Sequence, residues 1–279
     1  LSEIRLMKTR KVIQSYVLLA FVISYLIGLV WAFIMTPFAR SMGLENGPIS
    51  QWVLKFGPSL AGIITCYIYY GAKGTIKLLK SGLNWRANTK VIAITILMPL
   101  LFITISLAIW ANEQLVNIYN WSTLSILSST FILKLFLGGG FGEEFGWRGF
   151  MQPNLENKFT WVKASLIVAF VWILWHLPVL FLGGSIGNPI VFIATLSGYS
   201  VIMAWIYNAT KSVLWVAIFH GWTNALSNTL ENTIGDNVRH IETYFNFTYA
   251  ALIVCFAILL LITTYKKNQK TSYKTVYSK

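Results

Sequence analysis

Successive apolar runs of about 20 residues fill this chain of 279 residues, and each is long enough to cross a hydrocarbon core of about 30 Å. Only 11% of the residues are charged and 56% are hydrophobic, against roughly 25% charged in an average soluble domain. Such a chain cannot cover itself with polar surface. The fold class expected is all-α, a polytopic membrane helix bundle of about eight transmembrane helices forming one domain over residues 1–279. Apolar runs set against Gly, Pro, Asn and charge clusters place the spans at Val12–Met35, Trp52–Tyr70, Val91–Trp110, Phe131–Phe150, Trp161–Leu182, Pro189–Tyr207, Ser212–Leu226 and Phe247–Tyr265. The first run is too long for a signal-peptide core and lacks a small-residue cleavage site, so it is read as a mature helix.

The net charge of +13 does not form one patch with interleaved aromatics, which argues against a nucleic-acid partner. Basic residues gather instead at alternate ends of the spans: Arg5, Lys8, Arg10 and Lys11; Lys73, Lys77, Lys80, Arg86 and Lys90; Lys158 and Lys163; Lys211; and Lys266, Lys267, Lys270, Lys274 and Lys279. The other connections hold Arg40 with Glu45, Glu113, little around Ser185, then Glu231, Asp236, Arg239 and Glu242. The positive-inside rule then puts both termini in the cytoplasm of a multi-pass plasma-membrane protein. Cys66 and Cys255 lie in separate apolar runs without CxxC spacing, so neither a disulfide nor a zinc-thiolate site is implied.

Charged groups in hydrocarbon are costly and mark functional sites. Glu143 and Glu144 stand side by side in one apolar run, followed by Arg148. On a helix Glu144 and Arg148 share a face, with the acid N-terminal to the base, the favourable order for pairing. Glu143 is rotated by about 100° from Glu144. The expected division of labour has Arg148 neutralising and orienting Glu144 while Glu143 faces a wet cavity as the acid/base group. The bland alternative is a structural ion pair beside a snorkelling glutamate. If Lys134 marks the outer surface, Glu143 lies roughly 14 Å below it. In the fifth span Trp172 and His176 are one turn apart, and in the seventh His220 and Asn224 share a face. Alone, His176 is more often a hydrogen-bonded core histidine than a catalyst, and the His220/Asn224 pair reads at least as well as polar glue between helices. Together, carboxylates, imidazoles and an amide buried in one membrane chain point to the activation of water.

The ordered set EExxxR at Glu143–Arg148, an aromatic-xxxH at Trp172–His176 and HxxxN at His220–Asn224, on separate spans, resembles the CPBP family. This family groups the type II CAAX prenyl endopeptidases with bacterial bacteriocin-processing and Abi-type proteins. The motif core runs from 143 to 224, and the eight-span layout extends the likeness to most of the chain. The resemblance implies an intramembrane endopeptidase that hydrolyses a peptide bond of a membrane-embedded peptide or protein. Its catalytic residues would be Glu143, Glu144, His176, His220 and Asn224, with Arg148 and Trp172 as structural support. Glu143 and His176 would activate water, while His220 and Asn224 would stabilise the oxyanion or bind metal. That metal would be a divalent ion such as zinc, held by His176, His220 and Glu143, although no HExxH helix is present and a standard zincin site is excluded. The departure is Trp172, where the family usually has Phe. The high Lys-to-Arg ratio and the leucine at position one point to a bacterium, which makes a peptide precursor or bacteriocin-related peptide the better substrate reading than a prenylated protein. Two rivals from other classes are a non-enzymatic immunity or scaffold protein, and a proton-coupled transporter, the latter expected to show inverted repeats.

Overall fold

The computed structural model describes residues 2–30, 33–34, 54–177 and 187–276. Met35, Arg40, Glu45, Trp52, Leu182 and Ser185 of the sequence reading lie outside the described residues. No strand occurs among those described. With no water in hydrocarbon to satisfy backbone groups, helices meet the requirement by bonding within themselves. Helix α1 spans Ser2–Val30, α2 Gly57–Ser81 and α3 Thr89–Trp110, followed by short helical turns at Asn112–Gln114 and Leu115–Ile118. Helix α4 spans Trp121–Phe136 and α5 Gly139–Glu144; α5 runs through a π-helical turn, Phe145–Met151, into α6, Gln152–Glu156. The chain continues as α7 Trp161–His176, α8 Pro189–Thr210, α9 Val213–Val238 and α10 Glu242–Val276.

Five described segments are long and apolar enough to cross a membrane: Thr9–Val30, Thr89–Trp110, Trp121–Glu156, Pro189–Thr210 and Arg239–Thr264. Helix α7 is apolar but shorter. Helix starts follow local chemistry. The side chains of Asn88, Asn120, Thr160, Asn188 and Ser212 accept backbone N–H groups at the first turns of α3, α4, α7, α8 and α9, groups that have no intrahelical partner.

Of the boundaries that differ from those the sequence predicts, three have a clear local cause. Composition ends the second span at Tyr70; the helix kinks at Gly71, where φ is 65°, and continues to Ser81 as a segment bearing Lys73, Lys77 and Lys80. Composition starts the fourth at Phe131. It begins at Trp121, since Ser128 and Ser129 donate to the carbonyls of Leu124 and Ile126 and so hide their hydroxyls in the helix. The predicted end of the seventh is Leu226. It runs on to Val238 because Leu226 and Ile234, at helical spacing, are buried beneath the polar residues between them.

Lipid tails are as apolar as leucine, so close backbone approach and polar contacts, more than the hydrophobic effect, hold such helices together. Helix α2 meets the π-turn backbone to backbone: a Cβ on Gly146 would lie 2.2 Å from the carbonyl oxygen of Pro58, and one on Gly62 would lie 2.9 Å from Cα of Gly146. Helix α9 packs along α4 and α5 and against α3 and α8. Helix α1 is tied to α7 by Trp175 Nε1, which donates to Ser24 Oγ at 2.9 Å. Side-chain bonds from α5 to the C-terminal end of α7 and to the N-terminal half of α9 bring these three helices together.

Candidate active site

Helix α5 opens with consecutive glycines, and the lack of side chains there lets it lie against α9. A Cβ on Gly139 would sit 2.3 Å from Nε2 of His220, so glycine leaves the room that the imidazole occupies. One turn further on, Glu144 is fully buried and accepts three hydrogen bonds. Arg148 Nη1 donates to Oε1 at 3.0 Å and to Oε2 at 3.2 Å, and His220 Nδ1 donates to Oε1 at 2.7 Å. The expected i, i+4 ion pair is therefore present, and the second histidine joins it from α9. Arg148 is also fully buried, with its guanidinium carbon 4.6 Å from the centroid of the Trp172 ring. Its Nε and Nη2 have no hydrogen-bond partner among the described residues.

Glu143 belongs to the same turn but faces α7, where Trp172 Nε1 donates to its Oε2 at 2.7 Å. The wet cavity expected around this carboxylate is not what surrounds it. With 1% of its surface exposed it is enclosed instead, because the indole reaches across from α7 to meet it. His176 is half-buried and its Nδ1 bonds the backbone carbonyl of Trp172 at 2.8 Å. A carbonyl oxygen can only accept, so this Nδ1 carries the proton and Nε2 keeps its lone pair. The same logic applied to the Glu144 carboxylate puts a proton on Nδ1 of His220.

Trp172 is the hub. Its ring centroid lies 5.7 Å from that of His176 and 5.4 Å from that of His220, both edge-on, while its N–H holds Glu143 and its face carries Arg148. Glu143, Arg148, His176 and His220 are thus gathered around the indole of Trp172, and Glu144 joins them through Arg148 and His220. Asn224 stands one turn beyond His220, half-buried, and no described residue hydrogen-bonds its side chain. Among the described residues no three His, Cys, Asp or Glu side chains come together as a metal-ligand set. The trio His176, His220 and Glu143 does not form one in this arrangement, with Glu143 turned to Trp172 and His220 Nδ1 turned to Glu144.

Two neighbours are not singled out by the sequence. Tyr16 of α1 is fully buried, its ring edge-on to Trp147 at 5.7 Å, with a hydroxyl that has no hydrogen-bond partner among the described residues. Trp147 is itself fully buried and packs on Trp175 at 6.1 Å. An aromatic inside an apolar run carries no signal that sets it apart, so only the packing around Gly146 discloses them. The π-turn is equally invisible in the sequence, although such turns recur at functional sites.

Residues 125–226 match the family described as "Type II CAAX prenyl endopeptidase Rce1-like". A curated relative, "CAAX prenyl protease 2" of Methanococcus maripaludis, is 29% identical over 135 residues, covering 45% of this chain and 49% of the relative. The chain thus spans about half the length of that relative. The matched segment runs from α4 into α9 and contains every residue of the cluster, from Glu143 to Asn224. The ordered motifs and this match make the segment from α4 into α9 similar to the type II CAAX prenyl endopeptidases, and so support the CPBP family for this part of the chain.

Proposed function

We propose that this multi-pass membrane protein is an intramembrane endopeptidase that hydrolyses a peptide bond in a membrane-associated peptide, with both termini in the cytoplasm. The observation that carries this reading is the buried chain Arg148–Glu144–His220 lying beside the Glu143–Trp172 bond, inside the matched segment. Two carboxylates with one guanidinium enclosed in apolar surroundings are expensive to keep, and a purely structural role does not call for the second acid.

Each residue has a chemical task. Glu143 Oε2 is fixed by the indole, so Oε1 takes a proton from water and later delivers it to the leaving amine. His176, with its proton on Nδ1, presents the Nε2 lone pair to the other hydrogen of that water. Attack on the carbonyl develops an oxyanion, which is met by the Asn224 amide and by Nε2–H of a protonated His220. Glu144 accepts from Nδ1–H of that ring, and Arg148 holds the carboxylate in place. In this reading every step uses groups of the chain itself, and a chelator distinguishes it from a route through a divalent ion held by His176, His220 and Glu143. The favoured substrate is a short membrane peptide or precursor, as in bacteriocin processing.

Cleavage of fluorogenic membrane peptides by purified protein tests the reading. Glu143→Gln is expected to lose about 10²- to 10⁴-fold in turnover, as for loss of a general base. It is also expected to accumulate normally, because a glutamine oxygen still accepts from Trp172. A chelator added to the unmodified protein is expected to leave turnover unchanged; inhibition reversed by zinc would replace the metal-free sequence of steps. No cleavage across the peptide set, together with proton-coupled uptake sensitive to Glu143, would overturn the protease in favour of a transporter.

A further inference from the structure

The part of α9 beyond Leu226 reads in the sequence as a connection, yet it forms one wall of a cavity of about 410 Å³ between α3, α9 and α10. Its volume falls within the range of small-ligand sites, about 300–1,000 Å³. The cavity has two kinds of wall. Ile103, Phe245 and Tyr249 form an apolar, buried floor, and Tyr249 is anchored by a 2.7 Å hydroxyl–hydroxyl bond to Tyr199 of α8. Glu231, Asp236 and Glu242 bring three carboxylates to the rim. Arg239, the one basic residue of the lining, pairs with Asp236 at 2.8 Å, both side chains exposed. Glu231 and Glu242 form no ion pair among the described residues, and Lys134, within electrostatic reach of Glu231, lies outside the lining. The lining sets three carboxylates against one guanidinium, so the cavity offers apolar contact below and net negative charge above, the complement of a long cationic side chain with a methylene stem.

The cavity is also in register with the buried cluster. His220, Asn224, Ser227 and Glu231 follow one another at spacings of four, three and four residues, which keeps them on one face of α9. Ser227 and Glu231 line the cavity. At 1.5 Å of rise per residue, Glu231 lies roughly 16 Å along the helix from His220. An extended peptide advances about 3.3 Å per residue, so about five residues cover that distance.

We propose that this cavity is a docking pocket for a lysine or arginine side chain of the peptide substrate, placed about five residues from the bond that is cut. The spacing rests on the endopeptidase reading; the binding of a cationic side chain does not. The pocket thus fixes the register of the peptide, which the apolar surfaces around the cluster cannot do. The occupant is a peptide because the polar face of α9 leads from the pocket to His220.

The test measures binding, so it reads whether or not cleavage occurs. Short fluorescein-labelled Ala/Leu peptides carrying one lysine, or a matched glutamine, are titrated against the full chain in a neutral maltoside detergent. The lysine peptide is expected to bind about fivefold to tenfold tighter, the range of one or two partly exposed charge contacts. Glu231→Gln with Glu242→Gln is expected to erase that difference, and Glu231→Lys with Glu242→Lys to transfer the preference to a peptide carrying glutamate. Equal binding of the lysine and glutamine peptides, or a lysine preference that survives the double glutamine substitution, overturns the pocket. Displacement of the lysine peptide by phosphatidylethanolamine doped into the micelles would assign the cavity to a lipid amine and overturn the peptide assignment. In cleavage, the Gln pair is expected to raise KM and spare kcat, and stepping the lysine along the peptide is expected to give best cleavage about five residues from the cut. Cleavage indifferent to lysine position, with binding still lysine-selective, overturns the spacing alone.

Discussion

Two arginine–carboxylate pairs of nearly equal length hold opposite ends of this molecule's range of environments. Arg148 meets Glu144 at 3.0 Å with both side chains 0% exposed, while Arg239 meets Asp236 at 2.8 Å with exposures of 77% and 93%. Distance does not distinguish them; surroundings do. In the first, each charge depends on the other because no solvent can replace it, and His220 is added to the same carboxylate. In the second, solvent screens both partners, and the pair is free to open. The buried pair is therefore fixed within the cluster, and the exposed pair is movable at the rim of the cavity.

Breaking the buried pair is the largest test. Arg148→Ala leaves Glu144 without its guanidinium in a dry interior, a change that costs about 3–5 kcal/mol when one partner of a buried pair is removed. Low accumulation in the membrane and a lower unfolding temperature of the purified protein are expected, measured beside Glu143→Gln as the control that alters charge without stranding an arginine. Normal abundance and activity of Arg148→Ala would show that the two pairs do not differ as their burial indicates.

The contrast also explains what the sequence can disclose. The i, i+4 spacing of Glu144 and Arg148 fixes their shared face, and the high cost of charge in hydrocarbon marks the run, so this pair is legible from the order of residues alone. The joining of His220 to Glu144, and of Trp172 to Glu143, is a matter of how α5, α7 and α9 cross, and spacing within a single helix says nothing about it. The crossing depends on Gly139 and Gly146, whose missing side chains matter only once the neighbouring helix is known. The ends of α4 and α9 are hidden for a different reason. Serine, threonine and asparagine read as loop formers by composition, and become helical when their hydroxyls bond carbonyls of the preceding turn or when a buried stripe runs beneath them. The buried stripe of α9 also conceals the outer cavity, whose lining residues read in the sequence as a connection.

Trp172→Phe gives an effect of intermediate size and tests whether enclosure by the indole matters to Glu143. The substitution keeps an aromatic face for Arg148 and the two imidazoles but removes the N–H that donates to Oε2. A hydrogen bond to a charged group contributes about 1.5–3 kcal/mol, so a loss of about tenfold or more in turnover is expected, with near-normal accumulation. Unchanged turnover would mean that the indole N–H does not position the acid, and that the departure from phenylalanine only reshapes the pocket.

The smallest effect belongs to the exposed pair, where sign matters more than size. Arg239→Ala removes a guanidinium that solvent already screens, so stability is expected to stay within about 0.5 kcal/mol of the unmodified protein. Thermal unfolding, run beside Arg148→Ala, reads this directly. The same substitution releases Asp236 to the outer cavity, adding a carboxylate to Glu231 and Glu242. Binding of a lysine-bearing peptide is then expected to tighten by a few fold at low salt and to lose that gain as ionic strength rises, because exposed charges are screened over a Debye length of about 10 Å at 0.1 M. Removing arginine would thus damage the protein at one site and improve ligand capture at the other. A substantial loss of stability from Arg239→Ala would show that the exposed pair is structural after all, and weaker binding of the lysine peptide would show that Arg239 itself contacts the ligand.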